Sequence, residues 1–95
     1  MGLIEDLKND TSIDRTTIGS RSYAIRVLGR GEMLFFQEDE NALICEIDAS
    51  NSVIFSKSIK GWSNKPKMSN VERDRVMAII IELYKKYINA NVVVV

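Results

Sequence analysis

Glu46 and Asp48 stand two residues apart in Glu46-Ile47-Asp48, a spacing that places both carboxylates on one side of an extended strand. Paired carboxylates can divide acid–base work between them, as in glycoside cleavage, where they flank a cleft. A chain of 95 residues leaves little room for such a cleft, and no other residue type completes the chemistry. Histidine is absent, so there is no imidazole to serve as base or metal ligand. The single cysteine, Cys45, excludes an internal disulfide and a paired-thiolate metal site. Its setting, Leu43-Ile44-Cys45-Glu46-Ile47, suits a small buried hydrophobe better than a nucleophile. A glycine-rich phosphate loop is also missing. These residues predict a protein that is not an enzyme, with no catalytic residue, no metal site and no cofactor.

Charge offers a different chemistry. The chain balances 13 basic against 13 acidic residues, which gives no general attraction to nucleic acid or to an anionic membrane. The balance is not local. Glu32, Glu38, Asp39, Glu40, Glu46 and Asp48 fall between Gly31 and Ser56 with no lysine or arginine among them. Such a stretch is either a solvated face with an acidic hairpin tip or a docking surface for a basic protein, whose approach it would steer. The candidate partner-binding residues are therefore Glu38, Asp39, Glu40, Glu46 and Asp48, together with Trp62.

Lys57, Lys60, Lys65 and Lys67 follow without an intervening acid and surround Trp62. Lysines near one aromatic ring suit a nucleic-acid surface, with phosphate contacts and one stacked base. The acidic strands oppose that reading, and a tryptophan here more often closes a sheet-to-helix corner.

These side chains need elements to position them. Composition and length predict one α+β domain over residues 1–95. Leu3 to Leu7 suits a short helical turn, and Asn9 to Ser20 is polar enough for a connection. From Ser22 the period is two, with Tyr23, Ile25 and Val27 on one face of a strand. Gly29-Arg30-Gly31 turns the chain into Met33–Gln37, and Glu38 to Asn41 forms a polar tip. Ala42–Asp48 follows, with Leu43, Cys45 and Ile47 inward. Ser50-Asn51 leads to Val53–Phe55. Short connections favour an antiparallel β-meander of about four to five strands, over residues 22–62.

Ser69-Asn70-Val71-Glu72 matches a capping box, in which Ser69 accepts from the third helical amide and Glu72 reaches back. Pro66 keeps the helix from starting sooner. One long C-terminal helix, residues 69–88, should pack on one face of the sheet. Its apolar arc is wide: Val76, Ile79, Ile80, Leu83 and Tyr87, flanked by Met77, Tyr84, Ile81 and Ile88. Cover for that flank is expected from within the chain. Residues 91–95 end in Val92 to Val95, which suits a strand buried on both faces or one added to the sheet.

In this order of features the chain resembles a family of small bacterial immunity proteins found beside polymorphic toxins, including contact-dependent growth inhibition systems. The resemblance rests on a meander ending in Ser58-Ile59-Lys60-Gly61-Trp62, a linker with Pro66, Ser69-Asn70-Val71-Glu72-Arg73 opening a helix, and the valine-rich end. It implies a non-enzymatic cytoplasmic protein that neutralises a cognate toxin domain by tight binding. The toxin is often a nuclease with a basic substrate-binding surface. Such a protein would contact neither nucleic acid nor membrane directly and would be a monomer or weak homodimer. The alternative is a small nucleic-acid-binding or regulatory module that uses Lys57 to Lys67.

Overall fold

The computed structural model describes residues 2–65 and 67–95; the expected effect of Pro66 on the helix start lies outside them. The architecture is α+β. Helix α1 (Leu3–Lys8) precedes strands β1 (Asp14–Ile18), β2 (Arg21–Leu28), β3 (Met33–Glu38), β4 (Asn41–Asp48) and β5 (Val53–Ile54). A 3-10 turn (Ser56–Ser58), helix α2 (Asn70–Tyr87) and strand β6 (Val93–Val94) complete the chain. The six strands lie in sequence order in one curled sheet. Pairings from β1 to β5 are antiparallel, whereas β6 runs parallel to β5. A parallel neighbour needs a crossover, and α2 provides it.

Two cores lie on opposite faces of the sheet. Tyr23, Ile25, Leu34, Phe36, Leu43, Cys45, Ile47 and Ile54 pack beneath Val76, Met77, Ile80, Leu83 and Tyr84 of α2. On the outer face, Leu7 of α1 joins Ile13, Ala24, Phe35 and Ala42. Leu34, Phe35 and Phe36 are consecutive and all fully buried, because β3 is covered on both sides. That is why β3 reads as a continuous apolar run and β2 as an alternation.

Several expected boundaries change. The meander begins earlier than residue 22: Asp14–Ile18, expected as part of a connection, is an edge strand. Its two faces are mostly exposed, so no buried side imposed an alternation on its sequence. Arg15 ties it down, donating from Nη2 to the carbonyls of Leu7, Lys8 and Asp10 at 3.2, 2.7 and 3.2 Å. These carbonyls cluster at the C-terminal end of α1 and just beyond it.

The meander also ends at Ile54 rather than at residue 62. Beyond the 3-10 turn the chain crosses the edge of the core, where Ile59 and Trp62 insert their side chains.

Ser69 caps α2 as expected, its Oγ accepting from the Glu72 amide at 3.1 Å. Glu72 does not complete the box; its carboxylate is held by Arg75 Nε at 2.8 Å. The flank of α2 is covered from within the chain: Met68, Ile79, Ile81, Tyr87, Ile88 and Val92 are partly buried against the inner core. β6 is not buried on both faces, for Val93, Val94 and Val95 are 58%, 39% and 66% exposed. Among the described residues, no helix is long and apolar enough to cross a membrane.

Candidate functional site

The outer face of the sheet is covered over only part of its width. Residues paired across neighbouring strands point to the same side, so the register identifies what shares this face. Ala24, Phe35, Ala42 and Ile44 lie under α1 and its flanking residues. Past them the face is open. Met33 pairs with Glu46, and Phe55 continues the row through its amide, which donates to the Glu46 carbonyl at 3.1 Å. In the next row Asp48 pairs with Val53, and Val53 with Val93.

Met33 and Phe55 are 38% and 39% exposed and present their apolar side chains to solvent on this row. Glu46 is exposed between them, and Asp48 is half-buried with Oδ2 accepting from Asn51 Nδ2 at 2.8 Å. Through Leu28, the partner of Met33, the surface reaches a hollow of about 380 Å³ beside α1. Leu3, Asp6, Leu7, Asp10 and Arg26 also line it. Apolar side chains and carboxylates thus alternate across one uncovered face.

The other expected site residues are dispersed. Asp39 and Glu40 form the β3–β4 turn and are exposed. Asp39 adopts a left-handed φ of 51° and accepts from the Ser22 amide at 2.9 Å, which fixes the turn. Glu40 lies six residues from Glu46 along β4, roughly 20 Å at strand rise, and α1 occupies the face between them. Lys8 of α1 donates to the Glu40 carbonyl at 2.7 Å. The tip and the Glu46–Asp48 pair are therefore separate acidic places.

Glu38 is a correction: it is the last residue of β3, only 1% exposed, and lies on the helix side. Arg75 Nη1 and Nη2 donate to its two oxygens at 2.7 and 2.9 Å. Arg21 Nη1 approaches at 3.1 Å, and the Tyr23 hydroxyl donates to it at 3.1 Å. The bonds from Arg75 hold the Glu38 carboxyl below its ordinary range despite burial. Burial, then the bond to Glu38, raises Tyr23. The parity Leu34-Phe36-Glu38 was the sequence signal that Glu38 faces the core.

Trp62 is also withdrawn from the surface. It is 6% exposed and stacks on Phe36, with ring centroids 6.0 Å apart. Lys57, Lys60, Lys65 and Lys67 around it remain exposed, without a ring face to offer a base. Cys45 is 2% exposed, and burial pushes its thiol up to about 12, so it stays protonated and inert at neutral pH. Among the described residues, no group of three or more His, Cys, Asp or Glu side chains could hold a metal ion.

Sequence reasoning missed Met33 and Phe55 as surface residues, since only the register and the reach of α1 leave them uncovered. No family model, curated protein or solved structure matches this chain.

Proposed function

We propose that the protein is a binding module of the immunity type, which neutralises a cognate toxin domain in the cytoplasm by covering a basic surface on it. The observation that carries this reading is the open outer face, where Glu46 and Asp48 stand among Met33, Val53 and Phe55. A face of this composition supplies apolar area for affinity and carboxylates for steering and register. The carboxylates would meet cations that otherwise receive phosphates, which makes a nuclease the favoured toxin. The chain needs no catalytic group for this task.

Asp39 and Glu40 at the hairpin tip add a second negative region that widens the steering field. Glu38 and Trp62 act as scaffold, holding β3 against α2 and the core edge.

An immunity gene lies beside its toxin gene, and that arrangement supplies the test. The toxin domain encoded next to this chain should be lethal when expressed alone and harmless when expressed with it. Purified together, the two should form a stable complex. Survival that does not depend on this chain, or neighbouring genes that encode no toxin domain, would remove the basis for the reading.

A further inference from the structure

β1 stops short of the end of β2, and a hollow lies beside the gap. Asp14 of β1 pairs with Ile25, whereas β2 runs on to Leu28. The Asp39 amide donates to the Ser22 carbonyl at 2.8 Å, so the even residues of β2 turn their backbone groups to β3 and the odd ones away from it. Val27 therefore presents its N–H and C=O to the side that β1 has left. Neither group has a backbone partner among the described residues. The side chain of Val27 packs against the core under α2, so it is backbone that Val27 gives to the hollow of about 380 Å³ beside α1.

The rest of the wall divides by chemistry. Leu3, Leu7 and Leu28 are apolar, and Leu3 is 53% exposed. Asp6 stands one turn after Leu3 on α1, is exposed, and joins no ion pair among the described residues. Glu32 adds a carboxylate at the rim, its Oε1 so near Gly29 that a Cβ there would meet it at 2.7 Å. Arg26, a cation in the wall, is already engaged. Its Nη1 donates to Asp10 Oδ2 at 3.0 Å and to Ser12 Oγ at 3.1 Å. The hollow thus combines apolar surface with acceptors that have capacity to spare.

We infer that the hollow anchors one basic side chain of the partner that covers the outer face, an arginine or lysine. Its methylene stem lies on Leu3 and Leu28, and its charged head meets Asp6, Glu32 and the Val27 carbonyl. The inference rests on the reading of that face as a docking surface. Continuity and charge select this occupant. Leu28 pairs with Met33, so the hollow opens onto the row that holds Met33, Glu46 and Phe55. An acidic side chain would meet carboxylates and be repelled. A purely apolar one would cover Asp6 and the Val27 carbonyl without bonding either, which costs free energy.

The probe is n-butylguanidinium, a positive head on an alkyl stem, and n-butylurea is its uncharged counterpart. Amide chemical shifts of the isotopically labelled full chain report where each binds. The guanidinium should saturate in the millimolar range and move the amides of Asp6, Leu7, Leu28 and Gly29. Asp6→Asn and Leu3→Ser, both at exposed positions, should each weaken it about threefold. Glu5→Gln, on the same helix but outside the wall, should leave it unchanged. The urea should bind less tightly than the guanidinium by at least about threefold.

No movement of these amides, equal binding of the urea, or equal losses in Glu5→Gln and Asp6→Asn would overturn the inference. So would micromolar affinity for the free probe, which marks a small-molecule site. The same shifts on raising protein concentration alone would place a second copy in the hollow and overturn it too. The probe is read without any toxin, so failure here strikes the hollow and leaves the reading of the outer face to its own test.

Discussion

Arg75 grips Glu38 with both terminal nitrogens and Glu72 with Nε, so one guanidinium joins the end of β3 to α2. Glu38 is almost wholly buried, while the side chain of Arg75 stays 39% exposed. Removing the arginine therefore strands a buried carboxylate, and removing the glutamate merely frees a wet cation. Arg75→Met should cost about 2–3 kcal/mol, below the usual range for a broken buried pair because Arg21 and Tyr23 still reach Glu38. Chemical denaturation at pH 7 would measure it.

The same pair sets part of the acid sensitivity. The folded pKa of Glu38 is held below its ordinary 4.5, so its stabilisation is complete above that value. It is lost as pH falls through the depressed folded value. In Glu38→Gln, stability should change less steeply with pH below about 4.5 than in the wild type. Glu72 and Asp10 are lowered too and leave a residual slope.

Tyr84 makes the opposite point about a buried polar atom. Its ring is fully buried, yet its hydroxyl has no hydrogen-bond partner among the described residues. Ser52 lies close enough to influence it, but the geometry falls short of a bond. Tyr84→Phe should leave stability unchanged or raise it by up to about 1 kcal/mol. A clear loss in the thermal midpoint would show that the hydroxyl is satisfied in solution. Neither the Glu38 clamp nor the bare hydroxyl was legible in the sequence as such. A carboxylate beside Asp39 and Glu40 resembles a tip residue until strand parity is followed to its end.

At the scale of elements, α2, β2 and β4 were readable because a buried face imposes a period on each sequence, while β3, covered on both sides, was readable as an apolar run between turns. The Ser69 cap was readable for a local reason, a hydroxyl three residues from the amide it serves. Ser69→Ala should lower stability by about 1 kcal/mol, measured by urea denaturation. Glu72→Ala should act through Arg75 rather than through the cap.

Gly31 is another position where local geometry decides. Its φ is +95°, and an added Cβ would come within 2.9 Å of Ala49 Cβ. The glycine carbonyl also accepts from the Ala49 amide at 2.9 Å, so β3 cannot easily move away. Gly31→Ala should cost on the order of 1–3 kcal/mol. β1 escaped the reading because an edge strand exposed on both faces carries no alternation to detect, whereas the β-branched run Val92 to Val95 marked β6 as a strand added to the sheet. The acidic site was half legible: parity placed Glu46 and Asp48 outward, but only the three-dimensional reach of α1 separates them from the hairpin tip.

At the scale of the molecule, a balanced total charge hides an uneven surface. The sheet has one face sealed by α2 and another sealed only where α1 lies. The uncovered part carries exposed apolar side chains with carboxylates between them, and the lysines of residues 57–67 lie on a separate segment. Such a surface suits a protein partner better than a nucleic acid, whose phosphates Glu46 and Asp48 would repel.

Exposed carboxylates act chiefly on the rate of encounter, and salt screens that action. The most direct measurement is the association rate constant with the proposed partner, a toxin domain sought among the neighbouring genes, for the wild type and for Glu46→Lys with Asp48→Lys, at low and high salt. The expected result is association about tenfold slower for the double variant at low salt, with the two proteins converging as salt rises. Equal rates at low salt, with both proteins folded and binding, would contradict the assignment of the outer face as the docking surface.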